Sequence, residues 1–277
     1  MDRDLSRSAL FAAIVVATAC RPTTSAAPDA PPPAPSPSLP ATPDAAPPPT
    51  PPAPPPPRAI GPYERPFDGK RDVYYVVPRK PGPARLVANL HGVCNPPGYA
   101  CGYWVNAAAD VGFLVCPTGN ARCGRDGPPT WTQPAAAMDA DLEKAIAVVD
   151  AEYPGEISRE GSILTGFSLG AYAAAQIARA HPGRWPYLIL TEADVPLDAA
   201  QLRAAGVRAV ALVAGEIGNQ LAGERRTVDK LTKQGFPARL WVMKGAGHHY
   251  SADIDAIMSE AMAFVVSAGD APDAGDR

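Results

Sequence analysis

Ser162-Ile163-Leu164-Thr165-Gly166-Phe167-Ser168-Leu169-Gly170-Ala171-Tyr172-Ala173-Ala174-Ala175 holds three kinds of local structure in one short run. The first four residues are apolar and β-prone, as in a strand buried on both faces. The alanine-rich end reads as a helix. Between them stands Gly-x-Ser-x-Gly, with glycines on either side of a serine. Where a strand turns sharply into a helix there is no room for Cβ atoms, and glycine removes them. A serine at the tip of such a turn presents its hydroxyl outward, with the positive end of the helix behind it. Ser168 is therefore the candidate nucleophile.

The same alternation extends in both directions. Strands are predicted at Val73–Val77, Arg85–Leu90, Phe113–Cys116, Ser162–Thr165, Tyr187–Thr191, Ala209–Val213 and Arg239–Met243. Helices are predicted at Pro134–Tyr153, Leu169–Ala180, Ala222–Gln234 and Ala252–Ser267, the third stopped by Gly235-Phe236-Pro237. Strand alternating with helix implies an α/β fold with a mostly parallel, doubly wound sheet, whose ligand sites lie at the carboxyl ends of the strands.

A serine hydroxyl at its ordinary pKa is a weak nucleophile and needs a base to take its proton. The chain has four histidines. His181 precedes Pro182 at a helix end, a position that complements the helix dipole. His91 closes an early strand. His248 and His249 follow the last strand in Gly245-Ala246-Gly247-His248-His249-Tyr250, and His248, directly after the glycine turn, is the preferred base.

Ser168 in its turn, His91-Gly92 after an early strand and the late Gly-x-Gly-His together resemble the α/β-hydrolases, over about Arg71 to Val266. Within that superfamily, Leu90-His91-Gly92, Cys116-Pro117-Thr118-Gly119 and Trp131-Thr132 are similar to the poly(3-hydroxybutyrate) depolymerase and feruloyl esterase-like branch. The resemblance implies the α/β-hydrolase fold and a serine hydrolase of carboxylic esters, small or polymeric, working without metal or organic cofactor. It implies an oxyanion hole from the amides of Leu169 and Val93. It also implies a triad acid after the penultimate strand, in a Gly-x-x-Asp turn. Here that stretch reads Gly215-Glu216-Ile217-Gly218-Asn219, with glycine in place of aspartate. Glu216 is the first choice of acid and Asp194, after the preceding strand, the second; Glu192 and Glu224 stand outside both. The missing aspartate keeps open a surface protein that binds without catalysing. An exopeptidase or thioesterase on the same triad is a third reading.

Composition sets the address. Ala9–Ala19 is apolar and ends in Ala17-Thr18-Ala19, so residues 1–19 read as an export signal. Cys20 follows at once, which resembles a bacterial lipoprotein signal and implies lipidation there, with a lipid anchor in the cell envelope. Eighteen of the 35 prolines fall between Arg21 and Pro57. With Leu39 as its only large aliphatic residue, residues 20–57 read as a disordered linker favouring polyproline II, about 3.1 Å per residue. The hydrolase domain is expected at 58–268 and a disordered tail at 269–277. A net charge of −3, without a basic stripe, argues against a nucleic-acid partner.

In an oxidising compartment the remaining cysteines, Cys94, Cys101, Cys116 and Cys123, imply two disulfides rather than a zinc site, whose tight pairs they lack. Cys94–Cys101 and Cys116–Cys123 each close a short glycine-containing loop and are the favoured pairing. Trp104, Trp131 and Tyr103 fall in loops flanking the site and are candidates for pocket or core. Asp141, Asp150 and Glu152 are assigned to the solvated face of one helix.

Overall fold

The computed structural model describes residues 58–270. The expected signal segment, Cys20, the proline-rich stretch to Pro57 and the tail from residue 271 lie outside the described residues.

Eight strands form one twisted sheet. Two short ones lead, β1 (Tyr63–Pro66) and β2 (Asp72–Val76), followed by β3 (Ala84–Leu90). Helices α1 (Pro97–Tyr103) and α2 (Val105–Val111) precede β4 (Gly112–Pro117), and a small hairpin follows, β5 (Ala121–Arg122) with β6 (Pro129–Thr130). Then α3 (Ala135–Glu152), β7 (Ile157–Phe167), α4 (Leu169–Ala180), β8 (Tyr187–Thr191), α5 (Ala199–Ala204), β9 (Ala209–Gly215), α6 (Leu221–Lys233), β10 (Ala238–Met243) and α7 (Ile254–Gly269) alternate to the end. The sheet order is β1-β2-β4-β3-β7-β8-β9-β10. β1 and β2 run antiparallel to their neighbours, and every pair from β4 to β10 is parallel.

Both faces of the sheet are covered, which explains why β4, β8 and β9 are buried along their whole length. Alternation sends neighbouring residues to opposite cores. Val210 and Leu212 of β9 meet the layer holding Leu142 of α3, Ala174 of α4, Leu202 of α5 and Leu231 of α6. Ala209, Ala211 and Val213 meet Ala107 of α2 and Met258 and Met262 of α7. All seven predicted strands and four predicted helices are present, with β7 longer than its apolar centre suggested. β1, α1, α2, the hairpin and α5 are additions.

Two expectations are corrected, the cysteine pairing and the placement of Asp141. The disulfides are Cys94–Cys123 and Cys101–Cys116, not pairs of chain neighbours. Cys101 on α1 lies against β4, which carries Cys116, while Cys94, on the loop after β3, reaches over to the hairpin. Asp141 is not solvated: it is buried, with Oδ2 accepting hydrogen bonds from Arg71 and Gln133, both 2.7 Å away. Asp150 and Glu152 are exposed, as expected, and Glu152 also accepts from the Tyr75 hydroxyl at 2.8 Å and from Arg65 at 3.0 Å.

Candidate active site

Ser168 sits between β7 and α4 with φ 53° and ψ −119°, in a region most side chains avoid. Two glycines make the turn. A Cβ on Gly166 would lie 2.3 Å from the Gly170 carbonyl oxygen, and one on Gly170 would lie 1.9 Å from that of Leu90. The Ser168 amide donates to the Thr191 carbonyl at 2.9 Å, tying the turn to the end of β8. Leu169 is the first residue of α4, so its amide has no preceding helical turn to bond to.

The imidazole of His248 reaches Ser168 from the loop after β10. Its Nε2 is 3.0 Å from Ser168 Oγ, and its Nδ1 is 3.0 Å from Glu192 Oε2. The carboxylate dictates the tautomer: Nδ1 carries the proton and donates it to Glu192, leaving Nε2 as the acceptor for the serine hydroxyl. The His248 side chain is half exposed, whereas that of Glu192 is wholly buried. His249 turns away; its Nδ1 lies 3.0 Å from the Tyr250 carbonyl, and its Nε2 accepts from the Gly247 amide at 3.3 Å.

Glu192 is the first residue past β8 and has φ 57°. Its amide donates to Val213 O at 2.9 Å, and its Oε1 accepts from the Gly215 amide. Both carboxylate oxygens are thus engaged, one by backbone and one by His248. The acids expected from the sequence lie elsewhere. Glu216 is spent on the turn after β10, where Oε2 accepts from the Gly245 amide at 2.9 Å. Asp194 is partly exposed and lies 3.6 Å from Arg226. The signal for Glu192 lies in the strand register and not in its local sequence. Phe167 pairs with Thr191 across β7 and β8, so Ser168 and Glu192 are each the first residue beyond a shared register.

Gly92 and Val93 follow β3 on the other side of Ser168. A Cβ on Gly92 would sit 3.1 Å from Ser168 Cβ, so this loop packs directly on the serine. His91 holds it from behind. Its buried ring stacks on Trp131 with centroids 4.8 Å apart, and Nε2 accepts from the Gly119 amide at 2.9 Å. The proton therefore sits on Nδ1, which donates to Gly92 O at 2.8 Å. The Trp131 indole donates to His91 O at 3.0 Å. Burial pushes the His91 imidazole down to about 4, so at neutral pH it is an uncharged strut. The Cys94–Cys123 bridge fixes the next residue of the loop.

The large apolar side chains left exposed among the described residues are Val93, Tyr103, Tyr172 and Ile217. Each lies on an element that joins or packs on the serine turn, or packs against the loop that carries His248. Val93 belongs to the packed loop, and the Tyr172 amide donates to Ser168 O at 3.4 Å. Ile217 lies against Gly247, and Tyr103 packs on Tyr250, itself edge-on to Phe167. Trp104 is instead fully buried in the core. Among the described residues, no group of three or more acidic, histidine or cysteine side chains forms a metal-binding cluster.

No protein-family profile matches the chain. No curated protein matches it either. Solved structures do. The feruloyl esterase module from Clostridium thermocellum aligns with TM-score 0.55 at 12% identity, covering 73% of this chain and 86% of that one. S-formylglutathione hydrolase from Agrobacterium tumefaciens aligns with TM-score 0.54 at 14% identity, covering 74% and 94%. The Bacillus cereus carboxylesterase aligns with TM-score 0.51 at 14% identity, covering 73% and 96%. A mostly parallel eight-stranded sheet, a serine turned out between strand and helix and these structural neighbours agree: the chain has the α/β-hydrolase fold.

Proposed function

We propose that the protein is a serine hydrolase of carboxylic esters with Ser168, His248 and Glu192 as its triad. One observation carries the reading: the hydrogen-bonded line from Ser168 Oγ through both ring nitrogens of His248 to Glu192 Oε2, each contact 3.0 Å. A serine beside a base that is itself oriented by a third group is the arrangement acyl transfer requires.

In this mechanism His248 Nε2 takes the Ser168 proton as Oγ attacks the ester carbonyl. The oxyanion so formed would be held by the amides of Leu169, at the start of α4, and of Val93, in the loop packed on Ser168. His248 returns the proton to the departing alcohol, leaving an acyl-serine. Water, deprotonated by the same nitrogen, then releases the acid. Glu192 stabilises the imidazolium at each stage. No step calls for a metal or an organic cofactor.

The exposed apolar rim of Val93, Tyr103, Tyr172 and Ile217 favours esters with an apolar acyl or alcohol part. A binding protein that lost its chemistry is disfavoured, because Glu192 supplies the carboxylate whose apparent absence motivated that reading. The test is turnover of p-nitrophenyl butyrate by the wild type and Ser168→Ala, with fluorophosphonate labelling of Ser168. Equal rates in both proteins, or an unlabelled serine, would remove the proposal. Faster cleavage of amides or thioesters than of matched esters would move it to the peptidase or thioesterase reading.

We also propose export and lipid anchoring at Cys20. The support is the signal-like Ala9–Ala19 segment ahead of Cys20 and two disulfides, which persist in oxidising compartments. Incorporation of labelled palmitate into the wild type but not into Cys20→Ala tests it. No incorporation in either protein rejects it.

A further inference from the structure

Glu224, in the first turn of α6, is a carboxylic acid that the mechanism above does not use. Its residue is fully buried, and it points at the backbone that carries the triad acid. Its Oε1 accepts the Ala193 amide at 2.8 Å, one residue beyond Glu192. Its Oε2 is buried with no hydrogen-bond partner among the described residues. Gln220, four residues earlier, repeats the grip: its side-chain carbonyl accepts the Asp194 amide at 3.0 Å. Gly223 completes the seat, since a Cβ there would lie 2.0 Å from the Asp194 carboxyl carbon. The start of α6 is thus closed over the segment Glu192–Asp194.

That segment needs holding. A non-glycine residue at φ 57° costs energy and persists only where its surroundings dictate it. We propose that Glu224 is a positioning residue for the triad acid: its buried carboxyl takes the Ala193 amide and so fixes Glu192 in the conformation that meets His248. The inference rests on the hydrolase reading of Ser168, His248 and Glu192.

The charge state follows from the surroundings. The titratable groups facing Glu224 are Glu192 and Asp194 on the clamped segment and Tyr172 on α4; Arg226 of its own helix is directed to Asp194. Burial first, and repulsion from Glu192 and Asp194 after it, push the carboxyl up to about 9, against the opposing pull of the Ala193 amide. At neutral pH it is an uncharged acceptor. Ionisation in alkali places a second negative charge beside Glu192.

Two variants separate this role from simple core filling. Glu224→Leu keeps volume but removes the acceptor; Glu224→Gln keeps the acceptor but cannot ionise. Glu224→Leu is expected to lower kcat for p-nitrophenyl butyrate at pH 7 by about tenfold or more, with KM changed by less than about threefold. Glu224→Gln should recover most of that loss and remain active above pH 9, where the wild type declines. Overturning results are an unchanged kcat in Glu224→Leu, an equal loss in Glu224→Gln, or the same alkaline behaviour in Glu224→Gln and wild type. If Glu224→Leu does not fold, Glu224→Gln decides through its pH profile alone.

A proton NMR spectrum gives a readout independent of turnover. The His248 Nδ1 proton, bonded to Glu192, should resonate at low field in the wild type and Glu224→Gln and be lost in folded Glu224→Leu. Its persistence in folded Glu224→Leu overturns the proposal. A wild type that is neither active nor labelled by fluorophosphonate counts against the hydrolase reading instead, and the NMR comparison still decides the role of Glu224.

Discussion

Glu192 and His248 stand 56 residues apart in the chain, yet the carboxylate of one lies 3.0 Å from the ring nitrogen of the other. Glu192 follows the strand next to the one that leads to Ser168, and not the penultimate strand. Glu192→Gln should lower kcat for p-nitrophenyl butyrate by about 10²–10⁴-fold with little change in KM, because the amide favours the wrong tautomer. Glu216→Gln and Asp194→Asn should stay within about threefold of the wild type. A large loss in Glu216→Gln with none in Glu192→Gln would return the role to Glu216.

The two disulfides should separate chemistry from stability. Cys101 and Cys116, 15 residues apart, join α1 to β4 within the core and not on the loop that bears Val93, so replacing both by alanine should cost about 3 kcal/mol in chemical denaturation. Their loss should leave kcat little changed. Cys94 and Cys123 clasp the loop that bears Val93, and replacing this pair should lower kcat by about tenfold or more. Equal kinetic effects from the two double variants would count against a special role for the loop clasp.

His91 makes stability depend on pH. Its folded value of about 4 lies below the ordinary 6.5, so the unfolded chain takes up the proton first. Its penalty is absent above about pH 7, grows as pH falls through 6.5, and levels off below 4 at roughly 3 kcal/mol. The melting temperature should therefore drop between pH 7 and pH 4.5. In His91→Asn the whole curve should be lower at pH 7 but flatter; an unchanged slope would show that other groups set the acid limb.

Glycine replacements give a contrast within one experiment. Gly170→Ala sets a methyl group 1.9 Å from the Leu90 carbonyl oxygen and should destabilise by about 1–3 kcal/mol, with loss of activity. Gly102→Ala, on α1 with no atom within 4 Å of the new Cβ, should be neutral or stabilising by up to about 1 kcal/mol. Urea melts of both proteins give the comparison.

On the apolar rim, Ile217→Ser and Tyr103→Ser should raise KM for p-nitrophenyl octanoate more than for the acetate. Parallel changes for both esters would mean that neither side chain meets the acyl part.

The parts legible in the sequence were those set by local chemistry. Gly166, Ser168 and Gly170 announce the turn because sterics at a strand-to-helix corner admit little else. Continuous apolar runs such as Tyr187–Thr191 announce strands covered on both faces. The missed parts depend on long-range register. Glu192 looked like one acid among several in a loop until pairing of Phe167 with Thr191 set it level with Ser168. The disulfide partners depend on how α1 and the hairpin fold over β3 and β4, which spacing along the chain does not encode. α1 was hidden by its own prolines and glycines, since Pro97 and Gly98 open a helix that its composition argues against.

The contact between Gly170 and the Leu90 carbonyl joins the nucleophile's helix to the strand that leads into the opposite wall of the site. With no side chain between them, the serine turn and the His91–Val93 loop pack backbone against backbone. On the proposed hydrolase reading, chemistry and substrate choice are assigned to different parts of the molecule. Substitutions at Tyr103, Tyr172 and Ile217 can therefore redraw the surface around the serine turn while the contacts among Ser168, His248 and Glu192 stay as they are.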